Sequence, residues 1–288
     1  MNAHDSSSSR EHFFNFLGTA LPIVILSIGA VVVIYPFLWM FSTSMRPAAE
    51  VFRLPPSIFP ERIRFDAYID LLFYSGVPFF QFFINSCRVT FSTVFAQLTI
   101  ASAAAYAFAR LRFRGRGFLF ALLLSALMIP RQVTAIPLYI IMARMQLINT
   151  HWALILPEMI YPFGIFLLRQ NFLSQPIETE EAARIDGAGY GTIFFRIALP
   201  QSSAIIAALC IISFNATWNE YFLPLIFLDS WEMMTLPVGI AVIGNNLHGA
   251  GVQITLAAVM LAITPTFLVF CFAQRYIIEG ISMSGIKG

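Results

Sequence analysis

The chain has 288 residues, of which 58% are hydrophobic and only 11% are charged. Because soluble domains carry roughly 25% charged residues, a chain with this composition cannot cover a globular surface with polar groups. The composition therefore excludes an ordinary soluble enzyme, a disordered chain and a nucleic-acid-binding module. It predicts a polytopic membrane protein with room for about six crossings of roughly 20 residues each.

Six apolar runs are long enough to cross a bilayer as helices. Lipid tolerates only helices and closed barrels, and the alternation of polar and apolar residues that a barrel needs is absent, so the predicted fold is all-α. The predicted spans are about 19–41, 89–108, 118–142, 152–168, 204–228 and 254–273. Together they make a transmembrane domain, 19–273, between an N-terminal tail, 1–18, and a C-terminal tail, 274–288.

The arginines predict the orientation of these spans. The short loop between spans two and three contains four arginines, whereas the short loops on the opposite side contain one between them. These residues are Arg110, Arg112, Arg114 and Arg116 on the first side and Arg144 on the second. Because Lys and Arg are enriched in cytoplasmic loops, both tails and the segment 169–203 are predicted to be cytoplasmic. The long loop 42–88 is then outside, and its apolar spacing over 65–72 predicts a short interfacial helix.

The cytoplasmic segment 176–200 has the pattern of two short helices joined by a glycine-rich turn. Pro176 suits the first position of a helix, and the glutamates that follow lie where the helix dipole favours negative charge. Three glycines within 187–191 end this helix, and a second helix is predicted over 192–199. By pattern alone, the segment is either an interfacial linker or a surface to which another backbone approaches closely.

The same segment resembles the EAA motif of permease subunits of binding-protein-dependent ABC importers. The motif spacing E-A-A-x3-G-x9-I-x-L-P is met without a gap. The matching residues are Glu181, Ala182, Ala183, Asp186, Gly187, Ala188, Ile197, Leu199 and Pro200. In that family the loop docks into a groove on the ATP-hydrolysing subunit, so the resemblance assigns ATPase coupling to these residues.

Further segments are similar to carbohydrate-importer permeases, in particular to the smaller permease of maltose-type systems. They are 35–47, 104–116, 128–139, 218–228, 235–240 and 274–288. The resemblance implies a six-helix, type I importer fold in the cytoplasmic (inner) membrane and alternating access driven by ATP. ATP and Mg belong to a dimer of separate ATP-binding cassette subunits. A second, homologous permease and an extracytoplasmic solute-binding protein are the other implied partners, and the implied cargo is a sugar, a polyol or a glycerol phosphodiester.

Two charged residues fall within predicted spans. Pro130 and Pro137 predict a broken helix around Arg131, and a lipid-facing arginine would cost roughly 2.5–3.5 kcal/mol on insertion scales. Arg131 and Glu158 are therefore candidates for a translocation path or gate, with a structural contact or snorkelling to the interface as the alternatives. For Glu220, near the outer end of span five, a structural role is favoured.

No catalytic constellation is visible in the sequence. The histidines are scattered, and no His, Cys and Asp cluster has metal spacing, so neither a metal nor a cofactor is expected on this chain. The chain also lacks a G-x-x-x-x-G-K-[ST] phosphate loop and is therefore not expected to hydrolyse ATP alone. The alternative function is an ion-gradient-driven secondary transporter. Such carriers typically have ionisable pairs at the midplane and inverted repeats, whereas the strongest motif here lies in a docking loop.

Overall fold

The computed structural model describes residues 5–47, 50–51, 59–74, 76–246 and 251–285. Their regular secondary structure is entirely helical, which confirms the all-α prediction. In chain order the helices are α1 (Asp5–Ser44), α2 (Asp66–Ile69), α3 (Phe79–Arg110), α4 (Arg116–Ser125), α5 (Arg131–Arg144), α6 (Trp152–Glu158), α7 (Pro162–Ser174), α8 (Ile177–Ile185), α9 (Tyr190–Ile193), α10 (Leu199–Gln201), α11 (Ser203–Trp218), α12 (Phe222–Phe227), α13 (Leu236–Asn246) and α14 (Gly251–Gly285).

Within the described part of the chain, four helical segments are long and apolar enough to cross a membrane, and the number rises to six if each of two bent pairs is one span. The four are Leu21–Ser44, Phe79–Arg110, Trp152–Ser174 and Gly251–Phe272. The bent pairs are Arg116–Met128 with Arg131–Arg144, at 105°, and Tyr190–Gln201 with Ser203–Trp218, at 75°. The first bend lies at Pro130, where the missing N–H and the fixed φ of proline interrupt a helix.

The outermost helices are longer than the predicted spans. Helix α1 already begins at Asp5 and α14 continues to Gly285, so the described parts of both predicted tails are helical rather than separate. Residues 1–4 and 286–288 of those tails lie outside the described residues. The apolar segments of these helices, Leu21–Ser44 and Gly251–Phe272, overlap the predicted spans 19–41 and 254–273, and the helices continue beyond them into the tails.

Predicted span five, 204–228, is interrupted. Helix α11 ends at Trp218, and α12 begins as a separate helix at Phe222, after three intervening residues. The carboxylate of Glu220 causes this restart, because its Oε1 accepts hydrogen bonds from the backbone N–H groups of Phe222 at 3.0 Å and Leu223 at 3.2 Å. A carboxylate that satisfies the free N–H groups of a first turn stabilises a new helix start.

Helix α13 lies in a segment that the sequence assigned to a loop. Its start is attached to α3, because the backbone N–H of Leu236 donates to Ser86 Oγ at 2.7 Å. The side-chain amide of Asn85 donates to the carbonyl oxygens of Glu232 at 2.7 Å and Met234 at 3.0 Å. With 11 residues α13 is too short to cross a bilayer, which is why hydropathy did not reveal it.

The chain divides into two compact units, residues 1–75 with 247–260 and residues 76–246 with 261–288. In the first unit, α2 and the π-helical turn that follows it form the short helix predicted over 65–72. The hydroxyl groups of Ser44 and Tyr68 lie 2.8 Å apart and join α1 to α2.

The second unit is built around α3 and α7. Ala101, Ala105 and Ala109 lie at four-residue spacing on α3 and are buried in one cluster with Leu168 and Phe172 of α7. A stripe of small residues lets two helices approach closely within a membrane. The small, apolar character of span two therefore encodes its packing against α7.

Gly239 of α13 lies directly against Phe82 of α3, and a Cβ atom at position 239 would overlap the Phe82 ring. Phe82 is fully buried, so we expect Gly239→Ala to destabilise the protein by about 1–3 kcal/mol through overpacking. The measurement is thermal unfolding of the purified protein. Gly117→Ala is the matched control, because nothing lies within 4 Å of a Cβ there. Equal stability of the two variants would contradict this packing.

Candidate functional site

Helix α8, which carries the start of the EAA motif, ends in a geometry that only glycine adopts readily. Gly187 has a φ of +86°. Its N–H bonds to the carbonyl of Arg184 at 3.0 Å, and the N–H of Ala188 bonds to the carbonyl of Ala183 at 2.9 Å. These two bonds are those of a Schellman motif. The helix and glycine turn predicted from the sequence are therefore present, and the positive φ explains the glycine.

The EAA-motif residues divide between two faces. Ala183, Ala188 and Ile197 pack against the buried cluster of α3 and α7. Glu181, Ala182, Asp186, Gly187 and Pro200 are exposed, and Leu199 is half-buried. Ile185 is 87% exposed beside them. These exposed residues leave one face of α8 and its glycine turn accessible to another protein.

Helix α8 has one buried glutamate, Glu180, which the sequence alone did not single out. Its Oε1 accepts from Nε of Arg110 at 2.7 Å, and its Oε2 accepts from the Tyr106 hydroxyl at 3.1 Å. The carboxylate and guanidinium side chains are only 5% and 7% exposed. Arg110 also donates to the carbonyl of Gln175 at 2.9 Å. This network, the coupling anchor, fastens α8 to the C-terminal end of α3.

The sequence contains the residues of the coupling anchor, but their pairing cannot be predicted from it. Tyr106 and Arg110 are four residues apart and share one face of a helix, which marks a polar patch at the end of span two. Two adjacent glutamates, Glu180 and Glu181, were available as its partner, and only the direction of α8 relative to α3 decides between them.

The charge cluster consists of Arg131, Glu158 and Glu220, which the fold brings together from three separate spans. Arg131 Nη2 lies 2.9 Å from Glu158 Oε2, and Arg131 Nη1 lies 3.5 Å from Glu220 Oε2. Each of the three residues stands at a helix interruption, namely the start of α5, the end of α6 and the gap between α11 and α12. The sequence singled out Arg131 and Glu158 but not their contact, and the structure adds Glu220 as a second partner of Arg131.

Helix dipoles make this pairing favourable. Arg131 is the first residue of α5, where the dipole disfavours a cation, and Glu158 is the last residue of α6, where it disfavours an anion. Each charge therefore offsets the unfavourable field acting on the other. Gln97 of α3 stabilises the end of α6, because its side-chain amide donates a hydrogen bond to the backbone carbonyl of Glu158 at 2.7 Å.

A cavity of about 40 Å³ adjoins the charge cluster. Its lining residues are Ser86, Val89, Thr90, Thr93, Gln97, Arg131, Leu154, Glu158, Tyr161, Ser213, Ala216, Thr217, Glu220, Leu223, Pro224 and Thr235. Since a water needs about 10–15 Å³ of such volume, the cavity has room for about three waters. Among the residues that the structure describes, no group of three or more His, Cys, Asp or Glu side chains is placed to hold a metal ion.

The cavity and the coupling anchor lie at different depths along the same helix. Thr93 lines the cavity and Arg110 forms the anchor, and at 1.5 Å per residue they are about 25 Å apart along α3. The fold thus places a polar site within the membrane-spanning bundle and an exposed motif loop at one end of it. This arrangement is that of a membrane protein with a polar cavity inside its helical bundle and an exposed loop at one end.

Comparison with known proteins identifies the kind of membrane protein. The family described as "Binding-protein-dependent transport system inner membrane component" matches residues 97–281. The chain belongs to this family, and it is a permease component of an ABC importer rather than an ion-gradient-driven carrier.

Curated relatives span nearly the whole chain. The arabinooligosaccharides transport system permease protein AraQ of Halalkalibacterium halodurans is 36% identical over 270 residues, which is 92% of this chain and 96% of AraQ. The galactooligosaccharides transport system permease protein GanQ of Bacillus subtilis is 31% identical over 92% of this chain and 94% of its own length. The sn-glycerol-3-phosphate transport system permease protein UgpE of Yersinia pestis is 31% identical over 90% of this chain and 94% of its own.

A solved structure supports the fold independently. A chain of a bacterial ABC transporter involved in the import of the acidic polysaccharide alginate superposes with a TM-score of 0.81. The two chains are 24% identical, and the match covers 90% of this chain and 96% of the other. The agreement confirms the type I importer permease fold.

The coupling anchor makes a prediction about neighbouring acids. Glu180→Gln leaves the Arg110 guanidinium buried without a counter-charge, and loss of one member of a buried ion pair costs about 3–5 kcal/mol. We expect a clearly lower melting temperature for the purified protein. Glu181→Gln is the matched control, since Glu181 is exposed and should leave the melting temperature unchanged. A larger effect at Glu181 than at Glu180 would contradict the assignment of the anchor.

Proposed function

We propose that this chain moves a sugar or a related solute across the cytoplasmic membrane as one of two homologous permeases in an importer. An ATP-binding cassette dimer, which carries ATP and Mg, docks on the exposed face of α8 and its glycine turn. A solute-binding protein delivers the solute to the opposite side. The observation that carries this proposal is the continuity of α3 from the coupling anchor to the cavity beside the charge cluster.

The rigid attachment of α8 to α3 explains how closure of the ATPase would move the spans. Closure of the ATPase dimer displaces α8, and the buried contacts of Glu180 with Arg110 and Tyr106 oblige the end of α3 to follow. Helix α3 runs unbroken from Phe79 to Arg110, so the displacement reaches Gln97 and the cavity wall. There the charge cluster acts as the gate, because separating Arg131 from its carboxylates frees three interrupted spans.

The names of the relatives support a carbohydrate-like cargo for this chain. Arabinooligosaccharides, galactooligosaccharides and sn-glycerol 3-phosphate are the solutes that the relatives' names specify. The deciding experiment is uptake into vesicles that contain the complete complex, with labelled solutes of these three kinds. Uptake of at least one, dependent on ATP and binding protein, is expected. Absence of such uptake for all three would contradict the proposed function.

Gly187→Val tests whether the glycine turn couples ATP hydrolysis to transport. The φ of +86° is strained for a β-branched residue, so the turn presented to the ATPase should change shape. We expect solute import per ATP hydrolysed to fall at least several-fold while the spans still insert. Gly189→Ala is the control, because Gly189 has a φ of −75° and an open surrounding. Full ATPase attachment and coupling in Gly187→Val would show that the loop is only a linker.

Orientation is testable by labelling from outside. In a variant whose native cysteines are replaced, we expect a membrane-impermeant maleimide to label Asp229→Cys but not Gly189→Cys in intact cells. The positive-inside distribution of arginines places Gly189 in the cytoplasm, and Asp229 is exposed on the opposite loop. The reverse labelling pattern would overturn the orientation and with it the assigned docking side of the ATPase.

A further inference from the structure

Three threonine hydroxyl groups point to a ligand within the cavity. Thr90, Thr93 and Thr235 are 1%, 0% and 4% exposed, and all three line the cavity beside the charge cluster. Their Oγ1 atoms have no hydrogen-bond partner among the described residues. Because an unpaired buried hydroxyl is destabilising, such groups are expected where a ligand or water completes their hydrogen bonds.

Helix α3 presents two of these hydroxyl groups, those of Thr90 and Thr93, as part of one polar stripe. Ser86, Thr90, Thr93 and Gln97 recur at helical spacing, and each of them lines the cavity. Thr99 of the same helix lies outside the stripe and is exposed. A threonine hydroxyl both donates and accepts hydrogen bonds, and so does each hydroxyl group of a sugar or polyol.

The charged residues of the lining determine which solute charge the cavity tolerates. Arg131 is the single cation among the lining residues, and it is already paired with Glu158 and Glu220. One arginine and two glutamates give the lining a formal charge of −1. Negative charge in a site of low dielectric repels an anionic solute, and like-charge contacts of this kind reject wrong partners.

We propose that the cavity is a solute subsite that binds the hydroxyl groups of an uncharged sugar or polyol and disfavours phosphorylated and acidic solutes. The proposal rests on the proposed function, and it assigns direct solute contact to this permease. With room for about three waters, the cavity in this conformation accepts a single hydroxymethyl group. A whole sugar ring enters when the charge cluster separates and the broken spans open.

The first experiment removes the hydroxyl groups without changing side-chain shape. Thr90→Val and Thr93→Val are examined in vesicles with the solute identified by the uptake assay, at saturating binding protein. We expect each to lower the uptake rate about fivefold, the usual effect of one lost hydrogen bond. Thr99→Val is the matched control and should transport normally. Thr93→Ser keeps the hydroxyl and should retain transport, which separates loss of the hydroxyl from misfolding.

Unchanged uptake by both valine variants would overturn the subsite. Because that result is obtained in a complex that still imports solute, it leaves the proposed function intact. Failure of the unmodified complex to import any solute would instead contradict the proposed function.

The second experiment measures the sign of the cavity field without a known solute. In a variant with Cys87, Cys210 and Cys271 replaced, Thr93→Cys is treated with cationic or anionic methanethiosulfonate reagents of matched size. Relative to the rates with a free thiol in solution, we expect the cationic reagent to react about tenfold faster or more than the anionic one. Glu158→Gln combined with Glu220→Gln leaves Arg131 as the charged residue of the lining, with a formal charge of +1, and should reverse this preference. Equal rates in the parent variant, or faster reaction of the anionic reagent, would overturn the charge assignment.

Protection from this labelling then tests solute class. A neutral arabinose or galactose oligosaccharide should slow the modification of Thr93→Cys, whereas sn-glycerol 3-phosphate and an alginate oligosaccharide should not. Protection by either anionic solute, or by none of the neutral solutes, would contradict the proposed selectivity.

Discussion

Each interruption of a membrane-spanning helix frees backbone polar groups that lipid cannot satisfy, and the internal polar residues of this protein are placed to meet that constraint. Gln97 donates to the carbonyl of Glu158 after α6. Glu220 accepts from the first N–H groups of α12. Gln97 and Glu220 also line the cavity, so its polar wall and the stability of the broken spans depend on the same side chains.

Helix α3 connects the coupling anchor to the cavity in one unbroken helix. Its C-terminal end holds a buried ion pair, whereas its middle carries hydroxyl and amide groups that face a cavity. Between them the alanine stripe packs closely against α7. Close packing transmits displacement because protein interiors are scarcely compressible, and a helix without a break loses little of it to bending.

The sequence predicts much of the fold and part of the site, and the missing part has a physical cause. Hydropathy reports whether a segment is apolar enough to cross lipid, so the predicted spans overlap the four helical segments and two bent pairs that could cross a membrane. Helix α13 was missed because it is short and is stabilised by Asn85 and Ser86 of another helix. Local glycine chemistry placed the turn at Gly187 correctly. The pairing of Glu180 with Arg110, and of Arg131 with two glutamates, depends on helix directions that no local pattern specifies.

Glu220 divides its two carboxylate oxygens between two different tasks. One oxygen supports the first turn of α12, and the other faces Arg131 at the start of α5. The first turns of α5 and α12 therefore share one negative charge. The free energy of holding one of these turns in place depends on the position of the other. Since such coupling is reciprocal, anything that holds the first turn of α12 in place also biases where the N-terminus of α5 rests. A single carboxylate thereby makes the two elements one thermodynamic unit although about 90 residues of chain separate them.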